Sequence, residues 1–224
     1  MKRKVYIIIS IALLSILVTY VDAIIKPNYF VKIPFKILAF ILIPISYFFI
    51  CKDEKNNFKR LFKYKKKDIK KGIMIGLPIY LMIVVSYLLT RNFIDFSNVA
   101  PNLSKTMGIT KDNYFLVALY IPLLNSFQEE FFFRGYGFIS LKNKTSRLFS
   151  YIFTSIMFSI YHIGMLIGSF DWYVIILLLF GLIIGGCIFN YLNEKNGNIY
   201  VSWIVHMFIN FGINTVGGIL FGIF

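Results

Sequence analysis

The chain has 224 residues, of which 58% are hydrophobic and 19% aromatic, with a mean hydropathy of +0.73 and a formal net charge of +14. This composition excludes an ordinary soluble domain of the same length and describes one polytopic helical membrane unit. Two cysteines, Cys51 and Cys187, have neither the number nor the spacing of a disulfide framework or a zinc site, and read as small apolar residues.

A transmembrane helix needs about 20 mainly apolar residues. Seven stretches qualify, at 5–25, 33–51, 72–90, 113–140, 149–168, 172–192 and 199–224. The first follows Lys2, Arg3 and Lys4 and resembles a signal peptide, but no small-residue cleavage site follows it, so it is expected to persist as a helix. The fold class is therefore an all-α, polytopic transmembrane helix bundle of about seven spans. We divide it into three N-terminal helices with a basic loop (1–112) and a second half (113–224) that together form one integral membrane unit.

Charge placement orients the bundle. With the N-terminus in the cytoplasm, the inner segments 2–4, 52–71, 141–148 and 193–198 hold 17 basic residues and the outer connections hold 5. This asymmetry follows the positive-inside rule and fits a multi-pass protein of a cell membrane. The lysine run Lys63, Lys65, Lys66, Lys67, Lys70 and Lys71 then reads as a topology anchor against anionic lipid, with a docking site for an acidic substrate or lipid head group as the alternative, and nucleic acid is not among the expected partners. The outer loop 91–112, with Pro101 and Gly108, reads as an irregular connection. The first three helices carry almost no polar chemistry, although Lys36 and Arg134 fall inside helices.

Chemistry concentrates in the fourth span. Glu129 and Glu130 are adjacent there, although the whole chain holds only ten acidic residues, and ionisable groups in hydrocarbon usually face a protein interior or a water-filled cavity. Arg134 stands at i+4 from Glu130, the spacing at which an acid and a base on one helix meet. Glu129 has no such cation on its own helix; its i−4 neighbour is Asn125. Glu130 is thus the paired carboxylate, and Glu129 the freer one, better suited to act as a base.

Both histidines of the chain also fall inside spans. His162 follows Phe158 at i+4, and His206 precedes Asn210 at i+4. At about 1.5 Å per residue, Glu129, His162, His206 and Asn210 lie roughly 10 to 20 Å from the cytoplasmic ends of their helices and can share one plane. Carboxylate and imidazole together can deprotonate a water, and a second imidazole with an amide can bind an oxyanion, so such a set can hydrolyse an amide without a serine or cysteine nucleophile. No His-Glu-x-x-His helix is present. Glu129, His162 and His206 form a plausible but unspecific ligand set, so a divalent metal such as zinc is compatible with the sequence and not demanded by it.

These residues carry a resemblance. Glu129-Glu130-x-x-x-Arg134, Phe158-x-x-x-His162 and His206-x-x-x-Asn210, in that order on successive apolar helices, resemble the motifs of the CPBP intramembrane protease family, also called Abi. It unites CAAX-type prenyl-protein endopeptidases with bacterial proteins of bacteriocin processing and self-immunity. The stretch from Gly181-Leu-Ile-Ile-Gly185 to Asn198-Ile-Tyr-Val-Ser-Trp203 is similar as well. The resemblance covers residues 113–214. It implies that Glu129 and His162 activate water, that His206 and Asn210 stabilise the oxyanion, and that Glu130, Arg134 and Phe158 support the site. It further implies an endopeptidase acting on a membrane-associated peptide or protein precursor. Two other classes remain open on the residues alone: a non-catalytic immunity or interaction protein of the same fold, and a proton-coupled transporter. The transporter reading is opposed by the absence of a repeat between the halves.

Overall fold

The computed structural model describes residues 2–51, 54–167 and 170–224. Lys52 and Asp53, at the start of the expected basic loop, and Gly168, the last residue of the expected fifth span, lie outside the described residues.

Among the described residues, six helices are long and apolar enough to cross a membrane. They are α1 (Arg3–Ile25), α2 (Tyr29–Ile50), α4 (Lys66–Thr90), α7 (Arg147–Leu166), α8 (Trp172–Asn196) and α9 (Tyr200–Leu220). The fourth expected span is a continuous helical run, α6 (114–142), in which α-turns alternate with wider π-turns at Ile121–Asn125 and Glu130–Ile139. Pro122, which has no N–H to donate, opens the first wide turn. The chain is an all-α multi-pass membrane protein.

Two expected loops contain helices. Lys55–Leu61 forms α3 within the basic loop, and Val99–Met107 forms α5 within the outer loop, so neither connection is wholly irregular. Gly108 ends α5 with φ +66, a left-handed conformation that glycine adopts without a Cβ penalty.

α6 is the centre of the bundle. Every residue from Glu130 to Phe138 is buried, against α1, α7, α8 and the middle of α2. Aromatic rings fill this core: Phe40 of α2 stacks on Phe132 at 4.3 Å between centroids and meets Tyr161 of α7 at 5.2 Å. By contrast, Leu81, Val85 and Leu89 of α4 and Leu177, Phe180, Ile184 and Ile188 of α8 are exposed, as lipid-facing side chains of a membrane helix would be.

α4 packs along α9 at close range. Gly72 and Gly76 form a small-xxx-small stripe where a Cβ would stand 2.7 Å from Ile204 Cβ and 2.5 Å from Phe208 Cδ2 respectively. Only glycine lets the two backbones come so near.

The polar ends sort as the charge pattern predicts. At one end, Lys144 pairs with Glu54, Glu194 takes a bidentate pair from Arg147, and Lys65 Nζ donates to the Asn196 carbonyl at 3.0 Å. These contacts join the 52–71, 141–148 and 193–198 segments. At the other end, Lys111 reaches the Gly222 carbonyl and Gly108 packs on Asn28. One outer residue is misplaced by the sequence reading. Lys32 lies in α2, buried, with Nζ 2.9 Å from Asp22 Oδ1 of α1.

Candidate active site

Glu129 ends the α-turn that precedes the wide turn of α6, so Glu129 and Glu130 leave the helix in different directions. Both are buried, at 2% and 0% exposure.

The two oxygens of Glu129 have different surroundings. Oε1 accepts from Asn125 Nδ2 at 2.6 Å and from the Tyr161 hydroxyl at 2.9 Å. Oε2 faces both imidazoles, 3.9 Å from His162 Nε2 and 3.7 Å from His206 Nε2. These separations are too long for direct hydrogen bonds and admit a small group between the three atoms.

Each imidazole is oriented from behind. His162 Nδ1 lies 2.7 Å from the Phe158 carbonyl, which can only accept, so Nδ1 carries the proton and the neutral ring turns a lone pair on Nε2 toward Glu129. The Phe158 ring also meets the His162 ring edge-on at 4.6 Å. His206 Nδ1 lies 3.1 Å from Glu130 Oε1. The same Glu130 oxygen is 3.2 Å from Arg134 Nη1. The Arg134 guanidinium is held over the Phe158 ring at 4.0 Å and the Phe189 ring at 4.9 Å, two contacts that stabilise a buried cation where hydrogen-bond partners are few.

The structure therefore brings Glu129, His162 and His206 together and sets Glu130, Arg134 and Phe158 directly behind them. Asn210 lies one turn beyond His206 on α9, half-buried, and its side chain makes no hydrogen bond among the described residues. Its amide is free to bind a ligand.

Two partners of Glu129 were not anticipated. Lys36 of α2 places Nζ 3.6 Å from Glu129 Oε1 and donates to both Asn125 Oδ1 and the Tyr161 hydroxyl. Glu129 thus has no cation one turn away on its own helix but meets one in the folded protein, and the N-terminal helices are not devoid of polar chemistry. A lysine in an apolar span is a sequence signal for a buried partner, although it does not name what the lysine meets. Tyr161 carried no such signal, since a tyrosine in a membrane helix is unremarkable.

The donor set does not fit a metal centre. No group of three or more His, Cys, Asp or Glu side chains among the described residues is arranged to hold a metal ion. A divalent cation at Glu129 would also stand in the field of the buried Lys36 ammonium, where like charges repel strongly.

Chemically, the arrangement turns one carboxylate oxygen toward two imidazole nitrogens at 3.9 and 3.7 Å, and Asn210 follows His206 one helical turn later. Comparison with curated proteins and with solved structures gives no match to the chain. Residues 111–212, the stretch that supplies Asn125, Glu129, Glu130, Arg134, Phe158, Tyr161, His162, His206 and Asn210, match the family model of the Rce1-like type II CAAX prenyl endopeptidases, the same CAAX-protease family that the sequence motifs resemble.

Proposed function

We propose that the protein is an intramembrane endopeptidase that hydrolyses a peptide bond in a membrane-associated protein or peptide precursor. The observation that carries this reading is the convergence of Glu129 Oε2 with His162 Nε2 and His206 Nε2 at 3.9 and 3.7 Å inside a membrane bundle. The family match over residues 111–212 supports the same reaction class.

In this reading a water between Glu129 and His162 loses a proton to the carboxylate or the imidazole as its oxygen attacks the scissile carbonyl carbon. The carbonyl π-bond opens, and the negative charge collects on its oxygen. Asn210 Nδ2 and His206 Nε2 donate to that oxyanion. Because Nδ1–H of His206 is directed at Glu130, the ring donates from Nε2 only when it carries both protons, a form that the Glu130 carboxylate balances. Collapse of the tetrahedral species breaks the C–N bond, and the proton taken by Glu129 or His162 passes to the leaving amine. Preorganised donors in a water-poor site strengthen each of these interactions. The chain's short connections favour a bacterial member that processes peptide precursors or confers bacteriocin self-immunity.

The test has two arms. Purified protein is offered a fluorogenic farnesylated peptide ending in a CAAX sequence, and the peptides released by cells carrying the intact gene or the Glu129→Ala gene are compared by mass spectrometry. Hydrolysis that disappears in folded Glu129→Ala and His162→Ala proteins supports the reading. Unchanged processing by both variants overturns it. Protection of a producer cell by Glu129→Ala equal to that by the intact protein would point instead to a non-catalytic immunity protein.

A further inference from the structure

We propose that Lys36 is a positioning residue that assigns the two oxygens of Glu129 to different tasks; the inference rests on the hydrolytic reading above. Lys36 belongs to α2, outside the residues 111–212 that match the family model.

The hydrogen bonds have a directional logic. Asn125 has one carbonyl oxygen and one NH2 group. Because Lys36 donates to Oδ1, the amide is held so that Nδ2 points at Glu129 Oε1. Tyr161 has a single hydroxyl proton, and an ammonium can only donate to its oxygen. With Lys36 on the hydroxyl lone pair, that proton is directed to the same Oε1. Lys36 therefore aligns two donors on one oxygen and adds its own charge 3.6 Å away. Oε1 becomes a fixed anchor. Oε2, facing His162 and His206, is left as the oxygen that accepts a proton.

Packing makes this placement rigid. Phe40, one turn beyond Lys36, is wedged against Phe132, Phe133 and Tyr161 at 4.3, 5.6 and 5.2 Å. Lys36 itself is 8% exposed. Lys36 also lines a small cavity with Asp22, Tyr29, Lys32 and Tyr120. The ammonium faces inward, toward Glu129 and its two donors. The N-terminal helices thus complete a site whose reacting groups all come from the second half.

The experiment uses the full-length protein in detergent, as wild type, Lys36→Met, Lys36→Arg, Glu129→Gln and the Lys36→Met/Glu129→Gln double variant. Rates are read on the farnesylated CAAX probe, and stability by thermal unfolding. Loss of alignment is expected to lower kcat of Lys36→Met by about 10- to 100-fold while KM stays within about threefold. Lys36→Arg, which keeps the charge and the donors, should retain more activity than Lys36→Met. In the thermal cycle, Lys36→Met should lower Tm, and adding Glu129→Gln should recover part of the loss, because the uncompensated buried charge is removed. Unchanged kcat in Lys36→Met, a change in KM alone, or strictly additive Tm changes would overturn the proposal. Non-additive Tm changes in a protein that hydrolyses nothing would overturn the hydrolytic reading and leave the Lys36 clamp on Glu129 standing.

Discussion

His206 meets Glu130 through Nδ1, 3.1 Å from Oε1, and not through the nitrogen that faces Glu129. The two adjacent carboxylates of α6 therefore act on opposite sides of one imidazole. Glu130 orients the ring and Glu129 shares the space in front of it. Glu130 also holds Arg134 through the same oxygen, so one fully buried carboxylate ties a helix-internal ion pair to a residue on α9.

Replacing Glu130 should therefore damage both structure and activity. In Glu130→Gln, the buried Arg134 loses its counter-charge and His206 loses its anionic acceptor. Breaking a buried pair by removing one partner costs on the order of 3 to 5 kcal/mol, which thermal unfolding would read as a marked fall in Tm. Activity measured well below the new Tm should also fall, because His206 is no longer oriented. The double variant Glu130→Gln/Arg134→Met should regain stability but not activity.

Phe158 contributes a backbone carbonyl and a ring, and substitution separates them. Phe158→Ala keeps the acceptor for His162 Nδ1 but removes the ring beneath Arg134 and beside His162. A buried Phe→Ala change costs about 3 to 5 kcal/mol. Phe158→Leu should recover much of the lost packing but none of the cation–π contact with Arg134, so its Tm should fall between those of Phe158→Ala and the wild type.

Tyr161→Phe removes one hydroxyl that both accepts from Lys36 and donates to Glu129. The ring packing against Phe40 and Phe133 survives. We expect a drop in kcat of roughly tenfold together with a fall in Tm, since each of the two hydrogen bonds lost involves a charged group and is worth about 1.5 to 3 kcal/mol. Steady-state kinetics and thermal unfolding on the same preparation would check both.

Two glycine pairs provide a paired control for helix packing. Gly72→Ala and Gly76→Ala place a methyl group against Ile204 and Phe208 of α9, the helix that carries His206 and Asn210. Both should lower Tm and activity together. Gly181 and Gly185 of α8 have the same spacing, but nothing lies within 4 Å of a Cβ at either. Gly181→Ala and Gly185→Ala should leave activity unchanged and Tm equal or slightly higher, because alanine favours a helix by about 1 kcal/mol over glycine.

The sequence alone determined what depends on short range and on composition. Apolar run length located the helices, basic residues sorted the loops to one end, and i,i+4 spacing paired Glu130 with Arg134 and linked Phe158 to His162 and Asn125 to Glu129. These are properties of a single helix, and its periodicity is legible from spacing. The wide turns of α6 and the short helices α3 and α5 were not legible, because they depend on where proline, glycine and neighbouring helices leave backbone groups to be satisfied.

Only the tertiary structure decided which atoms face each other across helices. Lys36 lies 89 residues from Asn125, and His206 lies 76 residues from Glu130. No periodicity relates positions so far apart; their meeting depends on the stacking of Phe40 on Phe132 and on the close contact of α4 with α9 at Gly72 and Gly76. The sequence made Glu129 the freer carboxylate because its own helix offers no cation one turn away, whereas Glu130 has Arg134 at i+4. Packing brought Lys36 from another helix, since a buried carboxylate and a buried ammonium each cost less free energy when they share one site.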